Sequence, residues 1–287
     1  MGAVTRITLL FALACVASAQ APPPPGKLID VGGYRVHLNC TGAGRPTVTI
    51  VGAGYSFDWR LVQNEVAKFT RVCTYDPAGT AWSDQGPGPD CTSRVTEIHK
   101  LLANANIEGP YIVVGLSVGA LTARLYAARY PESVAGMVIV DHAFLDPGTK
   151  ATAPVVDSPD SPPAIVEMTP IVIIAEDDPG FRNLPENVRN LHRWAASLNP
   201  NLPSVETARK CIADVEAATG RLPQPLGDTP LTVVSTANES PNYPRLQQQL
   251  LSLSRNSRQF IADRSFHAIE MSQPEIVVAA IRAIAAF

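Results

Sequence analysis

Short β-branched runs alternate with longer stretches of helical periodicity along most of this chain, and that alternation leaves few architectures open. Thr47–Val51, Arg71–Tyr75, Tyr111–Val114 and Gly136–Val140 read as strands buried on both faces. Between them, Trp59–Phe69, Ser93–Ala105 and Ser117–Tyr130 carry apolar residues at helical spacing. Strand, helix and strand in this order predict an α/β fold, a mostly parallel, doubly wound sheet covered by helices. Leu28–Val31 and Tyr34–Leu38, joined at Gly32-Gly33, read as an opening hairpin. The pattern breaks after Phe144 and resumes with the strand Leu231–Val234, the helix Tyr243–Arg255, the strand Arg258–Ala262 and the helix Pro274–Ala285. Residues 145–226 are rich in proline, with weak helical stretches at Leu184–Leu198 and Ser204–Ala218. An insertion too long for a plain loop predicts a lid, set late into a core formed by residues 27–144 and 227–287.

The N-terminus is expected to be a leader rather than part of the fold. Arg6 ends a short basic start, Ile7–Val16 is almost unbroken apolar sequence, and Ala17-Ser18-Ala19 supplies the small residues of a signal-peptidase site. The apolar run is about half the roughly 20 residues that a spanning helix needs. Cys15 invites a lipid anchor, but Ala12-Leu13-Ala14 fits that signal poorly, so export to a secreted or periplasmic location is the expectation. Residues 20–26, with four consecutive prolines, then read as an extended tether. Removing residues 1–19 leaves Cys40, Cys73, Cys91 and Cys211, an even number suited to an oxidising compartment. Their spacing is not that of a zinc site. With 17% charged residues and a net charge of −3, the chain shows no electrostatic footprint for nucleic acid or an anionic membrane.

The chemistry concentrates in Gly115-Leu116-Ser117-Val118-Gly119, placed between a β-branched strand and an amphipathic helix. A serine in so sharp a turn projects its hydroxyl above the sheet, and the glycines let strand and helix approach without a Cβ in the way. The helix that starts there points its first amides at developing negative charge.

On these residues the sequence resembles the α/β-hydrolase superfamily, over nearly all of the chain beyond the leader. It looks most like lidded bacterial serine hydrolases and esterases with a strand reading Arg71-Val72-Cys73-Thr74-Tyr75-Asp76, whose next segment is matched by Ala78-Gly79 and Trp82-Ser83-Asp84. It departs from them at Pro77, where Arg is usual, at Ala81, where Gly is usual, and at Gly119-Ala120, where two glycines are usual. The resemblance implies a nucleophile, Ser117, activated by a histidine that an acid orients. His267 follows the last strand, matches the family's histidine loop and keeps the chain order nucleophile, acid, histidine. His37, His99 and His192 read as structural or surface residues, and His142 as incidental. Two carboxylates compete for the acid: Asp141, at the end of the strand Gly136–Val140, is preferred, and Glu239, after the strand Leu231–Val234, is the alternative. The oxyanion donors implied by the family are the amides of Val118 and Ala53, with Gly54 next. Four cysteines allow three pairings; in the fold that the resemblance implies, the strands bearing Cys40 and Cys73 lie side by side, which would make them one pair and leave Cys91 with Cys211 to tie the lid to the core.

Taken together these residues predict a carboxylesterase acting on a small-molecule ester through an acyl-enzyme, with neither a metal nor an organic cofactor. An amidase or peptidase on the same triad is the alternative, and a non-catalytic binding protein of the same fold is the other. A dinucleotide site at Gly52-Ala53-Gly54 fails because Phe57 stands where the third small residue belongs.

Overall fold

The computed structural model describes residues 21–52, 54–142, 178–198, 200, 202–220, 222–237 and 243–286. The expected leader therefore lies outside the described residues, as does the 145–177 part of the expected lid.

Eight strands form one sheet in the order β1-β2-β4-β3-β5-β6-β7-β8. β1 (Lys27–Asp30) and β2 (Arg35–Thr41) make the expected hairpin, and β2 runs antiparallel to β4 (Val72–Asp76). From there on, β3 (Thr47–Val51), β5 (Tyr111–Ser117), β6 (Val134–His142), β7 (Leu231–Thr236) and β8 (Ser257–Ala262) pair in parallel with their neighbours. Alternate residues of each strand face opposite ways. Val113, Met137, Ile139 and Val233 pack with α2 (Cys91–Asn104) and α3 (Val118–Arg129) in one core. Ile112, Val114, Val138, Val140 and Val234 pack on the other face with α1 (Arg60–Val66) and α8 (Pro274–Ala285). Both faces are covered, which is why the central strands read as continuous apolar runs.

Several boundaries differ from the expectation. The helix expected from Trp59 starts at Arg60, because Ser56–Trp59 winds into a 3-10 turn closed by the Asp58 carboxylate accepting from Tyr55 N at 3.1 Å. The helix expected to reach Arg255 ends earlier, as α6 (Tyr243–Leu251). A four-residue helix, α7 (Ile269–Ser272), that sequence periodicity does not reveal stands just ahead of α8.

α4 (Glu186–Ser197) and α5 (Val205–Thr219) lie between β6 and β7, within the stretch expected to form the lid. α4 is fastened through His192, whose Nδ1 lies 2.9 Å from Asp58 Oδ1 in a buried pair. α5 packs on α3 and is bonded to the start of α2 by the disulfide Cys91–Cys211. A second disulfide, Cys40–Cys73, joins directly opposed residues of β2 and β4. Both pairs are those that the family resemblance implied. The proline tether is held by its carbonyls: Trp82 Nε1 donates to Pro22 O at 2.6 Å, and His37 Nε2 lies 2.9 Å from Pro25 O. No helix among the described residues is long and apolar enough to cross a membrane.

Candidate active site

The site is assembled at the carboxyl ends of the parallel strands. Ser117 closes β5 with φ 54° and ψ −122°, a left-handed conformation that a non-glycine residue adopts only under strain, at a cost of about 1–3 kcal/mol. Its neighbours explain how the turn is held. A Cβ on Gly115 would come within 2.6 Å of Gly119 O, and one on Gly119 would come within 2.0 Å of Val51 O. Only hydrogen fits at either position, so both glycines are steric requirements of the elbow. α3 begins at Val118, directly after the serine, with its first amides at the turn. Ser117 is buried.

Asp141 stands near the end of β6, the strand beside β5, where Ser117 pairs with His142. Its φ of 32° puts a left-handed kink in the strand one residue before its end. His267 lies two strands further on, in the turn between β8 and α7, and its Nδ1 is 2.6 Å from Asp141 Oδ2. A carboxylate only accepts, so Nδ1 carries the proton and donates, and Nε2 is left as the basic nitrogen. The ring is half-exposed at 44%, whereas the Asp141 side chain is 14% exposed.

The other sequence-predicted residues fall as follows. Val118 is in place as the first residue of α3. Ala53 and Glu239 lie outside the described residues. The flanking Gly52 and Gly54 line the same small cavity as Val118. His37 is fully buried, with Nδ1 2.6 Å from Asp76 Oδ2, while Asp76 also accepts from the amide and hydroxyl of Ser56. His192 is a buried partner of Asp58, and His142 Nε2 lies 3.1 Å from Arg124 Nη1.

One functional-site neighbour has no signal in the sequence pattern. Glu270, three residues beyond His267, is fully buried, and neither carboxylate oxygen has a hydrogen-bond partner from another residue among the described ones. Burial, reinforced by the negative charges of Asp58, Asp178 and Asp141, pushes its carboxyl well above the usual carboxylate range. Burial likewise raises Asp58, against the hydrogen bond from His192. A carboxyl raised in this way resists becoming a further negative charge near the His267–Asp141 pair. Among the described residues no cluster of three or more His, Cys, Asp or Glu is arranged to hold a metal.

Comparison with known proteins points to one fold family. A Schizosaccharomyces pombe protein of uncharacterised function is 30% identical over 150 residues, which cover 41% of this chain and 28% of that protein, so the chain spans little more than a quarter of that relative. The 2-hydroxymuconate semialdehyde hydrolase of Pseudomonas sp. CF600 is 30% identical over 191 residues, 63% of this chain and 64% of the hydrolase. Among solved structures, a thermophilic esterase from Thermogutta terrifontis superposes with a TM-score of 0.61 at 22% identity, over 87% of this chain and 92% of the esterase, a likeness of fold alone. The model of the alpha/beta hydrolase fold family matches residues 49–197, just over half of the sequence and including β5, the elbow and α3. Its mostly parallel sheet, its strained serine turn and this match make the chain a member of the alpha/beta hydrolase fold family.

Proposed function

We propose that the protein is a serine carboxylesterase in which Ser117 is the nucleophile, His267 the base and then the acid, and Asp141 the residue that orients the histidine. The observation that carries this reading is the pairing of His267 Nδ1 with Asp141 Oδ2 at 2.6 Å beside a serine held in a strained elbow. Nε2 takes the Ser117 proton as Oγ bonds to the ester carbonyl carbon, and the carbonyl electrons move onto oxygen. The amide of Val118 and one from the Gly52–Gly54 loop receive that oxyanion. The oxyanion then collapses and breaks the bond to the alcohol oxygen, which leaves with the proton from Nε2. Water attacks the acyl-serine in the same way, giving its proton to Nε2, and Ser117 recovers a proton as the acid leaves.

The two disulfides fit folding in an oxidising compartment, in line with the proposed leader of residues 1–19 and a secreted or periplasmic protein. The residues between β6 and β7 are proposed to act as the lid. The test of the activity is hydrolysis of p-nitrophenyl esters by the wild type and by Ser117→Ala. A burst of nitrophenol followed by steady turnover in the wild type, and loss of both in the variant, is the expected outcome. Turnover that survives the substitution would refute the assignment.

A further inference from the structure

A small, partly open pocket of about 30 Å³ lies next to the elbow. Gly52 and Gly54 of the loop after β3, Val118 and Thr122 of α3, and Leu202 and Pro203 just ahead of α5 all line it. We propose that this cavity is the acyl pocket, that it selects esters of acids as small as acetate, and that Leu202 is the specificity-determining residue that closes it. The inference rests on the serine-esterase reading above and adds the substrate class to it.

Three observations carry the argument. The first is position. The acyl carbon must sit between Ser117 Oγ and the oxyanion donors, so the remainder of the acid begins beside Val118 and the Gly52–Gly54 loop. The alcohol oxygen must instead reach His267, three strands away on the β8 side of the elbow. A group entering this cavity is therefore the acid half of the ester.

The second is size. A cavity of about 150 Å³ holds benzene, roughly 25 Å³ per carbon, so about 30 Å³ corresponds to a single methyl. The third is the chemistry of the wall. Thr80 and Thr122 donate their hydroxyl protons to Pro77 O and Cys91 Sγ, and Arg94, which also lines the cavity, is paired with Glu97 Oε1 at 3.2 Å and bonded to Ala78 O. The Arg94 charge is thus balanced inside the protein, and these groups favour an apolar methyl over a charged acyl terminus.

Leu202 also packs against the apolar cluster that includes Tyr55 and Phe181. The segment it belongs to leads into α5, and Cys211 of α5 is bonded to Cys91, whose Sγ accepts from the cavity residue Thr122. The disulfide consequently fixes the height of the pocket.

The experiment measures kcat/KM on p-nitrophenyl acetate, butyrate and octanoate for the wild type, for Leu202→Ala and for the paired Cys91→Ser, Cys211→Ser variant, with phosphonate labelling of Ser117 followed in parallel. A hydrophobic pocket discriminates about 10- to 200-fold per methylene, so wild type should favour acetate over butyrate by at least about 10-fold and barely touch octanoate. Leu202→Ala should cut the acetate-to-butyrate ratio by about 10-fold or more, and loss of the disulfide should cut it in the same direction. Leu202→Val, a smaller truncation, gives a partial shift and stands in if the alanine variant does not fold. A wild type that turns over octanoate as fast as acetate while Ser117 is labelled overturns this inference and leaves the esterase intact. An unchanged ratio in folded Leu202→Ala also overturns it. No ester turnover and no label on Ser117 would overturn both.

Discussion

Replacing Asp141 by Asn tests how the proposed acid works, because the two side chains have nearly the same shape and differ in what they ask of His267. Asp141 Oδ2 lies 2.6 Å from His267 Nδ1, at or below the short end of charge-assisted hydrogen bonds. The carboxylate fixes the proton on Nδ1 and stabilises the imidazolium that forms when Ser117 is deprotonated. An Asn in its place can present its NH₂ to Nδ1, which moves the ring proton to Nε2 and leaves no base facing the serine. In a buried triad that exchange lowers kcat by about 10⁴. Here the His267 ring is 44% exposed, so water can hold part of the population in the productive tautomer, and a loss nearer 10³ is expected. That factor corresponds to about 4 kcal/mol of transition-state stabilisation. KM should change little, because Asp141 is placed to act on the base and not on bound ester. Steady-state rates on p-nitrophenyl acetate, with a thermal melt to establish folding, give the answer. A folded Asp141→Asn variant within about 10-fold of wild type, together with a Glu239→Gln variant that loses about 10³, would refute the assignment of the acid.

Two further predictions follow from the packing and charge around the elbow. Gly119→Ala would place a Cβ 2.0 Å from Val51 O, forcing the end of β3 away from the start of α3; a stability loss of about 1–3 kcal/mol and a kcat lower by about 10², read by denaturant melts and ester turnover, are expected, and wild-type kcat would refute the role of that contact. Glu270 carries a raised carboxyl, so the folded chain holds a proton that the unfolded chain releases near pH 4.3. Stability from this group is complete below that pH and falls as pH rises toward the folded value, by up to about 1.4 kcal/mol per pH unit. Glu270→Gln removes the titration, so its melting temperature relative to wild type should climb from pH 4 to pH 8; parallel profiles would contradict the buried, protonated state.

Much of this architecture is written locally in the chain. The β-branched runs at Thr47–Val51 and Tyr111–Val114 carry no charged residue on either face, as a strand covered on both sides requires, and they are the centre of the sheet. The pentad Gly115–Gly119 was legible because a steric requirement, two missing Cβ atoms, is also a sequence pattern. The disulfide partners followed only from the family resemblance, since cysteine spacing alone permits three pairings. Other features have no local signature. His192 and Asp58 are 134 residues apart and meet only because α4 docks on the turn before α1. His37 reads as an ordinary hairpin residue, yet it is buried against Asp76 and binds the tether at Pro25 O. Glu270 sits in a four-residue helix too short for periodicity to mark, and its burial arises from elements remote in sequence. Polar pairs formed across the fold depend on the whole topology, whereas strands and steric turns depend on neighbours.

The central claim is that Ser117 is an activated nucleophile. The most direct measurement is the intact mass of the protein after exposure to a fluorophosphonate, followed by mapping of the modified peptide. One phosphonyl group on the peptide containing Ser117, no label on Ser117→Ala and slow labelling of Asp141→Asn is the predicted result. Ester hydrolysis by wild-type protein whose Ser117 peptide stays unmodified would contradict it.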